Sequence, residues 1–455
     1  MFSLTENYIT RGFWGDEAWT SLISQLPYLQ MLKTTAADFH PPAFYTVVEL
    51  WYKIFPTTEV STRLISVIFY LLTVFLVYKL VYFIAEERKR FWGLLSAALV
   101  LANPIFFQYA FEARNYTLFA FAATGSIYYL IRLSMQRLPR DLWSLVMTKE
   151  GLLFIFFSTL GIYTHYYMFF ILAAQGLYLI LFDRKTFLPV IGAYFVVGLF
   201  YLPWVPFLAS QVSSVGQSYW IGGIDKRTHY ETILRILGGE AQNIARPILF
   251  WLTIGLVVIG LVQHIRQKSF ERPYILIWLW ATVPFILATL PGFRFGEVQF
   301  PFRPIFFWRY LIGAAVPLSM VTIHAAQKLP ANLFKVTVAA IFALSLSIDY
   351  LTLIRYPATF KQIYERDIVG KIGPDDEIVT VLPSFAETLY YRNRFGLENE
   401  IIVLPEGLVQ FSGKSLLDAY VENGVVTIGE APESGYFELL PGPSIENSFL
   451  QGSSL

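Results

Sequence analysis

Residues 62–84 read TRLISVIFYLLTVFLVYKLVYFI, and the cluster Glu86-Glu87-Arg88-Lys89-Arg90 follows. A helix crosses the hydrocarbon core of a bilayer with about 20 mostly apolar residues. The first run therefore predicts a membrane span. The basic cluster predicts its cytoplasmic end, because cytoplasmic loops are enriched in Lys and Arg. Nine further apolar runs follow, at about 91–109, 115–133, 151–165, 167–182, 187–209, 247–265, 274–291, 307–326 and 333–352. Every second loop between them is basic: Arg137, Arg140 and Lys149; Arg184 and Lys185; Arg266, Lys268 and Arg272; Lys328 and Lys335. All of these loops lie on one side. The other side then holds a first outer loop over 1–60, the turn Glu112-Ala113-Arg114-Asn115, the loops 210–246 and 292–306, and everything after about 353. No signal peptide or span precedes the outer N-terminal loop, so the pattern favours a spanning helix missing from the front over a short amphipathic start.

Composition agrees with a bilayer as solvent. The 455 residues are 55% apolar and 15% charged, against about 25% charge in soluble domains. Mean hydropathy is +0.52, the reverse of a disordered chain. The absence of cysteine excludes a disulfide scaffold, a thiolate metal site and a cysteine nucleophile. The net charge of +1 does not point to nucleic acid, and P-loop, Rossmann and HExxH patterns are absent. The charge is unevenly spread. Residues 353–455 carry 7 Lys+Arg and 15 Asp+Glu, hence −8, and the rest carries +9. In that tail Glu377–Pro383, Ile401–Pro405, Val425–Gly429 and Tyr436–Leu440 read as strands, with helices at 384–395 and 414–422. This predicts a small α/β domain on a parallel or mixed sheet, acting as a docking element or lid. The fold expected is an α-helical multi-pass membrane protein of about ten spans over 1–352, with an acidic extracytoplasmic α/β domain over 353–455.

Ionisable groups at the membrane edge are costly, which makes them functional candidates. Asp16 and Glu17 lie in Trp14-Gly15-Asp16-Glu17-Ala18-Trp19. Neighbours on a helix point about 100° apart, so only one can face a given ligand, and Asp16 is also a natural N-cap. His40 precedes Pro41-Pro42 and is held extended, with an amphipathic helix after it. Glu112, Arg114 and Tyr116 share an outer turn, where the first two either pair with each other or face a cavity. His165 sits in Tyr163-Thr164-His165-Tyr166-Tyr167 and suits a carboxylate, a metal or a helix end. Arg303, Arg309 and Tyr310 precede a span. A guanidinium at a helix start opposes the dipole and calls for a carboxylate or phosphate. The set suits a polar substrate with an anionic group beside lipid.

These residues resemble a known family. Gly15-Asp16-Glu17-Ala18-Trp19, Asp38 to Tyr45, Trp51 to Phe55 and Arg63-Leu64 look like the start of GT-C glycosyltransferases. In particular they are similar to the branch with protein O-mannosyltransferases, lipid A aminoarabinose transferases and rhizobial lipopolysaccharide glycosyltransferases. Tyr109 to Tyr116, Gly161 to Tyr166, Tyr201 to Phe207 and Trp308 to Leu311 match in order. The resemblance implies a polyprenyl-phosphate-sugar donor and an acidic catalytic base on the first outer loop, at Asp16 with Glu17 beside it. The span that the family carries before this loop is absent here.

Transfer needs a base near the acceptor hydroxyl and positive charge near the leaving phosphate. Asp16 is the expected base, and Arg309 with Arg114 the phosphate site. His40, Glu112 and His165 would bind sugar, acceptor or a divalent cation, with Glu112 and His165 the candidate metal ligands, and Tyr116, Arg303 and Tyr310 would bind substrate or donor. No other cofactor is expected. A single displacement predicts inversion. The expected partners are the lipid-linked donor, a lipid, glycan or protein acceptor and membrane lipid. The expected place is the plasma or inner membrane, with the catalytic face outside. The rivals are a transporter or flippase of a polar lipid, whose mid-span charges and inverted repeats are not evident, and a lipid-linked polysaccharide polymerase or ligase.

Overall fold

The computed structural model describes residues 7–135, 146–218, 224–225, 227–292, 294–295, 298–299, 304–405, 413–442 and 444–447. Every predicted apolar run forms helix. Among the described residues, seven helices are long and apolar enough to cross a membrane, or eight with one bent pair. The sequence reading of about ten spans counts two shorter helices as well. Lys149–Thr164 and Met168–Phe182 have 16 and 15 residues, less than a straight crossing requires.

The bent pair has a local cause. We label the first elements α1 (Gly15–Ile23), α2 (Tyr28–Ala37), α3 (Ala43–Tyr52), α4 (Glu59–Ile84), α5 (Lys89–Leu101), α6 (Pro104–Ala110) and α7 (Tyr116–Met135). Between α5 and α6, Asn103 accepts a hydrogen bond from the Phe106 amide and Pro104 opens the next helix. Proline has no N–H to continue the α5 ladder, and the axes bend by 65°. The kink delivers the 112–116 turn to the site. Around the bundle, Leu71, Phe75, Leu94, Phe195 and Trp251 expose apolar side chains outward, as spans do toward lipid.

The C-terminal sheet has five strands in the order Val426–Ile428, Ile401–Val403, Glu377–Thr380, Tyr436–Leu440, Ser444–Asn447. All neighbours are parallel except the last pair. Helix Leu382–Arg394 lies between this sheet and α1. One apolar core joins the two regions, with Phe13, Trp19, Phe44 and Tyr45 packed in the same cluster as Phe385, Tyr390 and Tyr391. Hydrogen bonds tie the seam. The Phe13 amide donates to the Tyr391 hydroxyl at 2.5 Å. The Tyr390 hydroxyl donates to the Thr57 carbonyl at 3.0 Å. A Cβ at Gly12 would lie 2.1 Å from Thr359 Oγ1 and 2.6 Å from the Tyr391 hydroxyl, so the seam requires glycine there.

Candidate active site

Asp16 and Glu17 lie in the first turn of α1 and point to different sides of it. Glu17 is fully buried. Arg63, in the first turns of α4, grips it in a fork, with Nε to Oε1 at 2.8 Å and Nη2 to Oε2 at 2.7 Å. The other Arg63 donors reach the carbonyls of Ile9, Arg11 and Gly12. Arg11 adds an ion pair at 3.4 Å, and the Ala113 amide donates to Glu17 Oε1 at 2.9 Å. Burial acts to raise the Glu17 pKa, but Arg63 and Arg11 outweigh it and hold the carboxyl below its ordinary range. Every lone pair is committed, so Glu17 fastens the N-terminal segment to the bundle.

Asp16 instead lines a cavity of about 280 Å³. Its side chain is 40% exposed and lies 3.6 Å from Arg114 and 3.7 Å from Arg309. Arg114 comes from the α6–α7 turn and also donates to the Asp16 carbonyl at 3.3 Å and to Thr20 Oγ1 at 3.4 Å. Its Nη2 is 3.5 Å from His40 Nε2, and His40 Nδ1 is paired with Asp38 at 3.0 Å. Arg309 lies against the Trp14 ring, 4.8 Å from its centroid. Tyr116, Phe307 and Tyr310 complete the bundle side, while Leu382, Pro383, Phe385, Ala386 and Gly413 close it from the C-terminal domain. One carboxylate between two guanidiniums, beside an imidazole–carboxylate pair and aromatic walls, can accept a proton from a hydroxyl and can hold a phosphate.

A second cavity, of about 420 Å³, shares Arg309 as a wall. Glu112 faces it rather than Asp16. Its carboxylate accepts from the Tyr8 hydroxyl at 2.7 Å and lies 3.5 Å from Arg11. Burial pushes the Glu112 pKa up; Arg11 opposes this, and Glu17 and Glu240 add to it. Glu240 accepts from Tyr109 and Gln108 at 2.7 and 3.1 Å. From the C-terminal domain, Glu387 reaches the same cavity. Burial, assisted by Asp16, pushes its carboxyl up to about 8, while the amides of Glu387 itself and Gly15 pull the other way.

The structure thus gathers Asp16, His40, Arg114, Tyr116, Arg309 and Tyr310 around one cavity and places Glu112 on the other. Glu17 lines neither. His165 is buried in an aromatic cage, stacked on Phe119 at 4.9 Å and accepting the Tyr167 amide on Nδ1. Arg303 falls outside the described residues. Glu112 and His165 have separate partners, and no three His, Asp or Glu side chains among the described residues come together to hold a metal. Glu112 and His165 therefore do not form a shared metal site among the described residues. Asp38 and Glu387 also line these cavities and Arg63 anchors Glu17 behind them; the sequence reading assigns none of the three a role. Arg63 carried a signal, since a charge at the start of an apolar run needs a partner. Glu387 carried none.

Comparison with known proteins gives a consistent fold. A family model described as dolichyl-phosphate-mannose-protein mannosyltransferase matches residues 39–209. The apo crystal structure of ArnT from Cupriavidus metallidurans is 12% identical and has a TM-score of 0.58, over 90% of this chain and 84% of that one. The structure of the same protein bound to undecaprenyl phosphate is 13% identical with a TM-score of 0.59, over 92% and 86%. AglB, the Archaeoglobus fulgidus oligosaccharyltransferase, in complex with an inhibitory peptide and a dolichol-phosphate, is 14% identical with a TM-score of 0.51, over 84% of this chain and 60% of that one. No curated protein matches by sequence.

Proposed function

We propose, for a chain whose fold is that of the GT-C membrane glycosyltransferases, that it transfers a sugar from a polyprenyl-phosphate donor to an acceptor hydroxyl, with inversion. The observation that carries this reading is Asp16 held between Arg114 and Arg309 at the mouth of a bounded cavity. Asp16 takes the proton as the acceptor oxygen attacks the anomeric carbon. Arg309, with Arg114, receives the phosphate as the C–O bond breaks. Such preplaced charge stabilises a transition state most where water is excluded. His40, fixed by Asp38, orients a substrate hydroxyl, and Tyr116 and Tyr310 offer ring faces to sugar or to the first isoprene units. The basic loops at the opposite helix ends support a cytoplasmic far side and an outer catalytic face, with the plasma or inner membrane as the host. The acceptor class is a lipid, glycan or protein with a free hydroxyl.

The test is direct. Purified protein receives undecaprenyl-phosphate sugars with a radiolabelled sugar and a membrane extract as acceptor source. Release of undecaprenyl phosphate with label on a new acceptor supports the reading. Movement of intact donor across a vesicle without chemistry supports a flippase and contradicts it.

A further inference from the structure

We propose that Glu387, carried by the C-terminal domain, is a substrate-positioning residue: its carboxyl holds the start of α1 and presents one free oxygen to a hydroxyl of the sugar in the 420 Å³ cavity. The proposal rests on the glycosyl-transfer reading above. Three observations carry it. First, α1 has no side-chain cap of its own, because its N-cap residue is Trp14. The Glu387 oxygens instead lie 3.4 and 3.6 Å from where a Gly15 Cβ would stand, and a carboxyl at a helix N-terminus meets unpaired amides. Asp16 is the next residue, so the C-terminal domain fixes the turn that carries the base.

Second, Glu387 Oε2 is buried with no hydrogen-bond partner among the described residues. It is not alone. Trp14 Nε1, Glu112 Oε2 and Arg309 Nε are also buried and unpaired among those residues, and all four side chains line the 420 Å³ cavity. Buried polar groups without partners are rare. A ligand rich in hydroxyls, each able to donate and accept, would partner the two carboxyl oxygens, the indole N–H and the guanidinium N–H that are left without a partner among the described residues on these lining side chains. Third, the seam through Gly12, Phe13, Tyr390 and Tyr391 keeps Glu387 in register with α1.

The protonation state follows from the surroundings. Asp16 faces Glu387 from α1, and Arg309 and Glu112 face the cavity from the bundle. Arg11, Glu240 and Arg355 line its remaining walls, with the phenols of Tyr8 and Tyr109. Burial and Asp16 keep the Glu387 carboxyl protonated up to about 8. The neutral acid donates its proton to a substrate oxygen, and ionisation replaces this contact with repulsion from Asp16.

The experiment uses full-length wild type, Glu387→Ala and Glu387→Gln in lipid nanodiscs. Transfer from radiolabelled undecaprenyl-phosphate sugars is followed between pH 6 and 9.5, alongside binding of undecaprenyl phosphate alone. Glu387→Ala is expected to lower kcat/KM about 30-fold. Glu387→Gln is expected to lower it about threefold at pH 7 and to remove the decline in kcat/KM above pH 8. Binding of undecaprenyl phosphate stays within twofold in both, which shows that the fold and arginine site persist. Wild-type transfer with unchanged rates and an unchanged pH profile in both variants overturns this inference alone. Equal losses in both variants with the decline retained also overturn it, leaving a packing role. Absence of transfer by the wild type overturns both this inference and the reading it rests on.

Discussion

The two sides of α1 carry adjacent carboxylates with opposite tasks. On one side Glu17 is sealed in an apolar core with all its acceptor capacity used by Arg63, Arg11 and the Ala113 amide. On the other side Asp16 is 40% exposed, with two guanidiniums just beyond ideal hydrogen-bond range. A group already saturated with short hydrogen bonds has no capacity left for a reacting proton. A group flanked at 3.6–3.7 Å can exchange partners when substrate arrives. The contrast teaches that in this loop depth of engagement, rather than residue type, separates anchor from reactive group.

The comparison can be broken most forcefully at the anchor. Glu17→Ala leaves Arg63 as an uncompensated buried charge, a change that costs about 3–5 kcal/mol. The variant is expected to show a large fall in melting temperature and poor recovery from membranes, measured by size-exclusion fluorescence. Asp16→Ala leaves Arg114 and Arg309 short of a carboxylate, but water reaching the 40% exposed Asp16 position screens both charges, so this variant loses less stability than Glu17→Ala and melts between it and wild type. Equal melting of the two variants contradicts the division of tasks.

On the side proposed to react, Arg309→Ala removes the charge-assisted contact proposed for the donor phosphate, of a kind worth about 1.5–3 kcal/mol. Undecaprenyl phosphate affinity is expected to weaken roughly 10- to 100-fold by direct binding measurement, whereas anchor variants that fold retain it. At the seam, Gly12→Ala forces a Cβ into Thr359 and Tyr391. Overpacking of this kind costs about 1–3 kcal/mol, and faster proteolysis of the C-terminal domain reports its displacement.

A further expected effect concerns pH. The Glu387 carboxyl, ordinarily near 4.5, ionises near 8 in the folded protein. Between those values the folded state binds more proton than the unfolded state, so its stability falls as pH rises through the window and is level above it. Glu387→Gln removes that fall. Its melting temperature relative to wild type is expected to rise from pH 5 to pH 8.5, and a constant difference contradicts the protonation state assigned here.

Much of this was legible in the residues. Apolar runs gave the helices because lipid demands them at fixed length. Alternating patterns placed C-terminal strands at 377–383, 401–405, 425–429 and 436–440 and helices at 384–395 and 414–422; the first strand instead ends at Thr380, the helix already opens at Leu382, and the strand Ser444–Asn447 was not read. The kink at Asn103-Pro104 was hidden because 91–109 is apolar throughout, and hydropathy carries no information on direction. Asp16, Arg114 and Arg309 could be picked as charges at a membrane face. That they face one another required tertiary structure, as did the choice between Asp16 and Glu17, which a 100° step leaves open. Glu387 was invisible because Phe385-Ala386-Glu387-Thr388-Leu389 reads as an ordinary amphipathic helix. Its role comes only from the distant Gly15 against it.

The most direct test of the central claim is single-turnover transfer by Asp16→Asn protein, matched to wild type for melting temperature and undecaprenyl phosphate binding. The account predicts that sugar transfer falls at least about 1,000-fold, the order expected for losing a positioned base in a preorganised site, while donor binding persists. Transfer within a few-fold of wild type would contradict it and remove Asp16 from the chemistry.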